Sequence, residues 1–137
     1  MKKLKNIKFI EEDFSGKTML LDVYTDCLFE KCTFKGSTLE YCAFITCTIR
    51  NCDFTETRTI GTNFAASKID STDFSESDIF SSSFQAASIK NCKFEDDNLA
   101  RSSFVGCMIE GTGFRYSNTK QADFTDSVTV KGAADAN

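Results

Sequence analysis

The sequence predicts a solenoid, a fold in which short repeats stack on one another along one axis. A large apolar residue occupies twenty-two of the twenty-four positions spaced five apart from Phe9 to Phe124, and only Phe80 of the fourteen phenylalanines lies outside this register. Two residues before these positions the chain mostly carries Cys, Ser, Thr or Ala, and all seven cysteines lie there. A period of five follows neither one face of a helix nor one face of a strand. Fixed-period similarity is instead typical of stacked repeats.

The two columns predict a core in which each repeat buries one large and one small side chain. Free Cys packs as a small hydrophobe and suits the small column. The odd number of cysteines, seven, and the lack of a secretory signal favour reduced thiols over disulfides.

These units resemble the motif of the pentapeptide repeat family: small residue, polar residue, Leu or Phe, polar residue, variable residue. The match is read in Cys52-Asp53-Phe54-Thr55-Glu56, Thr72-Asp73-Phe74-Ser75-Glu76 and Ala122-Asp123-Phe124-Thr125-Asp126. The resemblance implies an all-β fold, a right-handed quadrilateral parallel β-helix with four repeats in each coil and about six four-sided coils. At about 4.8 Å between stacked strands, the rod is expected to be about 30 Å long.

The repeat has no interruption at which a domain boundary could lie, so one domain is predicted. We assign residues 1–6 to an N-terminal lead-in or cap, residues 7–131 to the solenoid and residues 132–137 to a flexible C-terminal tail. The segment 57–61 lacks a large apolar centre, because Thr59 occupies that position, and we expect it to be locally irregular.

A coil of twenty residues sorts the large core positions into four walls. The second wall is Phe at every position from Phe14 to Phe114, and the fourth is aromatic from Tyr24 to Phe124. The first and third walls are mostly aliphatic. The sequence therefore predicts two aromatic ladders on opposite sides of the core.

Composition argues against catalysis and against a bound metal or cofactor. The chain has no His, so the Ser-His and Cys-His pairs that activate nucleophiles cannot form. Cysteines five residues apart do not match the usual zinc-binding spacing. The chain lacks both an apolar stretch long enough to span a membrane and a signal-peptide pattern. We therefore expect a cytoplasmic protein that is not an enzyme and does not contact membranes.

Two outer faces differ from the rest and are the candidate binding surfaces. The second face is acidic, and its candidate partner residues are Asp53, Glu56, Asp73, Glu76, Glu95 and Asp96. The fourth face carries no charge between Asp26 and Asp123, and its candidate interface residues are Ile45, Ala65, Ala66, Gln85, Ala86 and Val105. Solenoid ends expose unpaired edges that natural repeat proteins usually cap. Val128 and Val130 are therefore candidates for a contact with another copy or another protein.

These surfaces support two functional hypotheses. The favoured one is a non-catalytic interaction or structural module that binds a protein partner through the uncharged face or a coil end. The alternative comes from the resemblance, because some members of the family look like duplex DNA and bind type II topoisomerases such as DNA gyrase. The carboxylates of the acidic face would then take the place of DNA phosphates in a basic DNA-binding groove. With a net charge of −4, direct binding to nucleic acid is not expected.

Overall fold

A computed structural model describes residues 1–131, and the tail predicted at 132–137 lies outside the described residues. The regular elements of residues 1–131 are ten strands of three residues each. They are β1 (Lys3–Lys5), β2 (Lys8–Ile10), β3 (Val23–Thr25), β4 (Leu28–Glu30), β5 (Ala43–Ile45), β6 (Thr48–Arg50), β7 (Lys68–Asp70), β8 (Ser88–Lys90), β9 (Met108–Glu110) and β10 (Val128–Val130). The prediction of an all-β fold is confirmed.

Every strand pair is parallel and joins residues twenty positions apart. On the first wall, β2, β4, β6, β7, β8, β9 and β10 form one seven-stranded sheet in that order. On the fourth wall, β1, β3 and β5 form a three-stranded sheet. Single parallel bridges continue the same register on the other walls, as between Asp53 and Asp73 or between Arg58 and Asp78. The chain is thus a four-sided β-solenoid of about six coils, as predicted.

We number the coils from residue 7, so that coil 1 is 7–26, coil 2 is 27–46, and coils 3 to 6 continue to residue 126. The strand β1 lies before coil 1, and its Leu4 pairs with Tyr24 of β3. The ladder of the fourth wall therefore begins within residues 1–6, which the sequence analysis assigned to a lead-in or cap.

The coil corners explain how the chain turns every five residues. At each turn a residue adopts a left-handed backbone conformation, from Asn6 with φ 57° to Asp126 with φ 60°. This conformation is strained for residues with a side chain, and glycine relieves the strain at Gly36, for example, where φ is 69°. The side chains at these corners point outward, so the residue type there can vary along the rod.

The core contains the two predicted aromatic ladders. Phe34 and Phe54 stack with ring centroids 4.4 Å apart, and Phe64 and Phe84 stack at 4.8 Å. Across the core the ladders meet edge to face, as Phe64 and Phe74 do at 5.9 Å and 86°. Stacked and edge-to-face pairs are the favoured aromatic geometries. The two ladders therefore stabilise one another along the rod.

The small column contributes hydrogen bonds as well as packing. Ser67 donates its Oγ hydrogen to the carbonyl of Phe44 at 2.6 Å and accepts the N–H of Cys47 at 3.0 Å. The Cys47 thiol likewise donates to the carbonyl of Tyr24 at 3.3 Å. A side chain in this column thus binds a backbone group of the preceding coil, and Cys acts there as a donor in addition to its predicted role as a small hydrophobe.

The segment 57–61 is regular, and the expected irregularity is wrong. Thr59 is fully buried in the third wall, and Arg58 forms parallel bridges to both neighbouring coils. The Thr59 hydroxyl donates to the carbonyl of Asp78 at 3.4 Å. Because this bond satisfies the hydroxyl, Thr can fill a core position that is otherwise apolar.

Candidate interaction surfaces

The aspartates of the acidic face have a structural role that the sequence analysis missed. Asp53 Oδ1 accepts the N–H of Thr55 at 2.8 Å and its hydroxyl at 2.6 Å. Asp73 accepts the N–H of Ser75 at 2.9 Å in the same way. Such a bond between an Asp side chain and the backbone two residues later is typical of turns. Asp53 and Asp73 therefore stabilise the turns in which they lie.

The same arrangement occurs on other parts of the rod. Asp123 of the fourth face accepts the N–H and hydroxyl of Thr125, and these hydrogen bonds lower the pKa of Asp123. Asn63 accepts the N–H of Ala65 at 2.9 Å. Asp or Asn before a core residue therefore forms the same turn on the second, third and fourth faces, and the Asp column alone is weak evidence for a binding surface.

Four carboxylates of the acidic face are not explained by these turns. Glu56 lies 3.5 Å from Lys35 in an exposed ion pair, which contributes little in water. Glu76 and Asp96 are exposed at successive corners, and Glu95 is half-buried between them. The exposed acidic cluster therefore centres on coils 4 and 5.

Lysines flank part of this face. A shallow groove of about 610 Å³ follows the corner between the first and second walls. Asp53 and Asp73 line its middle, and Lys31 and Lys93 line it as well. The face is thus less uniformly acidic than the sequence analysis indicated.

The six candidate residues of the uncharged face come together across four coils. The N–H of Ala66 donates to the carbonyl of Gln85 at 2.9 Å, and that of Ala86 donates to the carbonyl of Val105 at 2.8 Å. Ala66, Gln85 and Ala86 are exposed, whereas Ile45, Ala65 and Val105 are half-buried. The structure therefore presents them as aligned rows on one side of the rod, which we call the uncharged face.

An apolar surface borders the uncharged face, and the sequence analysis did not identify it. It lies at the corner between the third and fourth walls and comprises Leu20, Leu21, Tyr41, Ile60 and Phe80, which we call the apolar corner. Backbone bonds place its residues in successive coils, since the Tyr41 N–H donates to the Ile60 carbonyl at 2.9 Å. Leu21 is 52% exposed, Tyr41 61% and Phe80 36%. The sequence contains one indication of this surface, because Phe80 is the only Phe outside the five-residue register.

Tyr41 is held in place by a glycine of the next coil. A Cβ built on Gly61 would lie 2.6 Å from Cε1 of the Tyr41 ring. Gly61 also has φ 64°, in the left-handed region where side chains are strained. The missing side chain at Gly61 therefore leaves room for the Tyr41 ring, which is still 61% exposed.

The candidate end contact lies at the last described strand of the seven-stranded sheet. Val128 is 51% exposed and Val130 46%, and β10 pairs with β9 alone among the described strands. The rings of Phe114 and Phe124 are only partly buried at this end. The described end therefore presents apolar side chains together with an unpaired strand edge.

The cysteines of residues 1–131 are buried away from solvent. All seven are free, and burial raises the pKa of Cys47 and Cys52 to about 12. The thiolate is the nucleophilic form of cysteine, so these thiols are held in their unreactive form. In this part of the chain there is also no cluster of three metal-ligating side chains. Among the same residues, no helix is long and apolar enough to cross a membrane.

Comparison with known proteins confirms the predicted family. The family model described as pentapeptide repeats matches residues 60–96 in eight copies. No curated protein sequence matches the chain.

Solved structures give the same result for the fold. A trypsin-treated variant of QnrB1, a plasmid-mediated fluoroquinolone resistance protein, aligns with a TM-score of 0.50 and 16% identity, over 92% of this chain and 76% of its own. A pentapeptide repeat protein from the thylakoid lumen of Arabidopsis thaliana has a TM-score of 0.45 and 20% identity, over 85% and 61%. HetL from the cyanobacterium Nostoc, a pentapeptide repeat protein involved in regulating heterocyst differentiation, has a TM-score of 0.40 and 9% identity, over 92% and 86%. At such identities the likeness concerns the fold.

Proposed function

We propose that this pentapeptide repeat protein is a non-catalytic interaction module of the cytoplasm, and that it binds a protein partner through the uncharged face. The observation that carries the proposal is the alignment of small, uncharged side chains in rows across four coils. The free, buried cysteines fit a reducing compartment. A surface built from aligned walls suits binding better than catalysis.

The physical advantage of the uncharged face is a low cost of desolvation. Burying a charge without a partner is expensive, whereas small neutral side chains such as Ala65 and Ala86 lose little when water leaves. The apolar corner supplies what the face lacks, because an exposed Tyr beside a flat surface is the type of residue that anchors protein interfaces. Tyr41 and Phe80 therefore extend the proposed surface along one edge.

Variants on two opposite faces of the rod test this proposal. We expect Ala65→Arg or Ala86→Glu to abolish partner capture from a host lysate, because each places a charge in the centre of the interface. The matched control carries Glu76→Lys, Glu95→Lys and Asp96→Lys, which reverse the acidic cluster and spare the turn-forming aspartates. Thermal unfolding checks that each variant is folded. If the control loses the partner and Ala65→Arg keeps it, the uncharged face is not the interface.

The acidic cluster supports the alternative, a DNA mimic that binds DNA gyrase or another DNA-binding protein. Glu76, Glu95 and Asp96 lie together on coils 4 and 5, where they can face a basic groove. This alternative makes a different prediction in the same experiment. Purified protein should then change gyrase supercoiling activity, the lysine control should not, and binding should weaken steeply with added salt. An unchanged gyrase activity at high excess of the protein would contradict the alternative.

We further propose that the Val128–Val130 end contacts another copy of the chain or another protein. Its support is the apolar, unpaired edge of β10, which a further strand could extend. Sedimentation of the purified chain is expected to show self-association or, with its partner, a complex that Val128→Lys weakens. A monodisperse monomer whose partner binding is insensitive to Val128→Lys would contradict this contact.

A further inference from the structure

One position in the small column of the third wall departs from its neighbours. Ser77, Asp97 and Ser117 follow one another there in coils 4, 5 and 6. The two serines donate to the carbonyl of the residue 23 positions earlier, Ser77 to Phe54 at 2.9 Å and Ser117 to Phe94 at 2.5 Å. In coils 4 and 6 the column therefore supplies a donor to that carbonyl, and an ionised carboxylate has no hydrogen to donate.

Asp97 fills the acceptor role of these serines but has no observed donor contact. Its Oδ1 accepts the N–H of Ser77 at 2.8 Å, just as Ser117 Oγ accepts the N–H of Asp97 at 3.0 Å. Its Oδ2 is buried and has no hydrogen-bond partner among the described residues. The whole residue is only 4% exposed, so bulk water has little access to this oxygen. An unpaired buried charge is one of the most costly features a core can hold.

Another buried aspartate has hydrogen-bond donors for both of its carboxyl oxygens. Asp22 occupies the small column of the fourth wall and is 6% exposed. Its Oδ1 accepts the N–H of Lys2 at 2.8 Å, and its Oδ2 accepts the hydroxyl of Tyr24 at 3.1 Å. Both oxygens act as acceptors, as those of a carboxylate do. Asp97 lacks the second donor, which sets the two sites apart.

We propose that Asp97 carries a proton in the folded chain and that its Oδ2–H donates to the carbonyl of Phe74, so that a proton locks coil 5 to coil 4. Phe74 is the residue 23 positions before Asp97, and its carbonyl corresponds to the acceptors used by Ser77 and Ser117. A carboxylic acid offers one donor and one acceptor, which are the two roles that a serine fills in this column.

The charges around Asp97 favour the protonated form. Burial is the main cause that raises the pKa of Asp97 to about 8, and the carboxylates of Asp73, Glu76 and Asp96 raise it further. The Ser77 N–H acts in the opposite direction but is outweighed. Loss of the proton at alkaline pH leaves a buried charge beside three other acids. Coils 4 and 5 then repel each other at this corner, and the contact opens.

The experiment observes the proton on the full chain and the contact that it holds. Carbon-13 NMR of the Asp97 carboxyl should show the protonated form up to about pH 8. Hydrogen exchange of the Asn98 amide reports the contact, since its N–H donates to the Ser77 carbonyl of coil 4 at 3.0 Å. Between about pH 6 and about pH 8 we expect its protection factor to fall about tenfold for each pH unit, because only the opened chain releases the proton in this range, and to level off above about pH 8.

Two substitutions replace the titratable carboxyl group of Asp97 and keep a hydrogen-bond donor at this position. Asp97→Asn supplies an amide, Asp97→Ser restores the residue of the neighbouring coils, and both should show a protection factor that is flat from pH 6 to 9.5. Asp96→Asn is the matched control at the adjacent exposed acid, and it should keep the pH dependence. A carboxyl signal of the ionised form at pH 6 overturns the proposal. So does the wild-type pH dependence in Asp97→Ser.

Discussion

Phe84→Ala is expected to lower the free energy of unfolding by about 3–5 kcal/mol, the usual cost of truncating a buried Phe. Phe84 is fully buried in coil 4. It stacks between Phe64 at 4.8 Å and Phe104 at 4.9 Å, and it meets Phe94 edge to face at 5.5 Å. The substitution therefore removes apolar area and interrupts one ladder in the middle of the rod. Urea denaturation followed by circular dichroism measures the loss.

Phe80→Ala is the matched control, because it makes the same chemical change four residues away. Phe80 lies at the apolar corner and is 36% exposed, so its truncation leaves no buried cavity. We expect a loss of less than about 1 kcal/mol, as for most surface substitutions. Equal losses for the two variants would show that the five-residue register does not define the core.

The second large effect is a pH dependence of stability that originates at Asp97. Below the ordinary Asp pKa of 3.8, the folded and unfolded chains both hold this proton. Because burial raises the pKa of Asp97 to about 8 in the folded chain, only the unfolded chain loses the proton between these values. The unfolded state then binds fewer protons, so the free energy of unfolding falls as the pH rises. It should level off above about pH 8.

The slope of this fall is about 1.4 kcal/mol for each pH unit, and the whole window from 3.8 to about 8 contributes at most about 6 kcal/mol. Asp97→Asn removes the titrating group and should flatten this part of the stability profile, so the variant should gain most at pH 8. Urea midpoints measured from pH 4 to 9 check both statements.

Asp123→Asn serves as the control for this profile. Hydrogen bonds from Thr125 lower the pKa of Asp123 in the folded chain, so its contribution is present above the ordinary Asp pKa and is lost as the pH falls. Its removal should leave the decline between pH 4 and 8 in place. A decline that persists in Asp97→Asn would mean that other groups cause it.

The sequence predicted the core well because a solenoid repeats one local arrangement. Phe54, Phe64 and Phe74 sit in equivalent surroundings, so a single period revealed the burial of all three. The predicted irregularity at 57–61, where Thr59 replaces a large apolar residue, is wrong. The Thr59 hydroxyl donates to a carbonyl of the next coil, and the spacing of apolar residues does not reveal a hydrogen bond between coils.

The surfaces were predicted less completely, since each depends on residues twenty positions apart. Asp53 remains a predicted partner residue, and the structure adds that its carboxylate accepts the N–H of Thr55 within its own turn. The apolar corner went unnoticed because Ile60 and Phe80 lie one position after a core centre and Tyr41 lies two positions after one, outside the columns that define the core. They are neighbours because the same corner stacks on itself in successive coils.

The sequence by itself determined the architecture of this protein: the period of five, the two aromatic ladders and the column of small residues. Burial decides these features, and burial repeats in every coil. Only the tertiary structure decided what the individual polar groups do. It showed Asp73 bound in a turn, Tyr41 lying against Gly61, and Asp97 buried with an oxygen that lacks a partner. Hydrogen bonding and local electrostatics depend on the neighbouring coil, and the stacking of the coils brings those neighbours together.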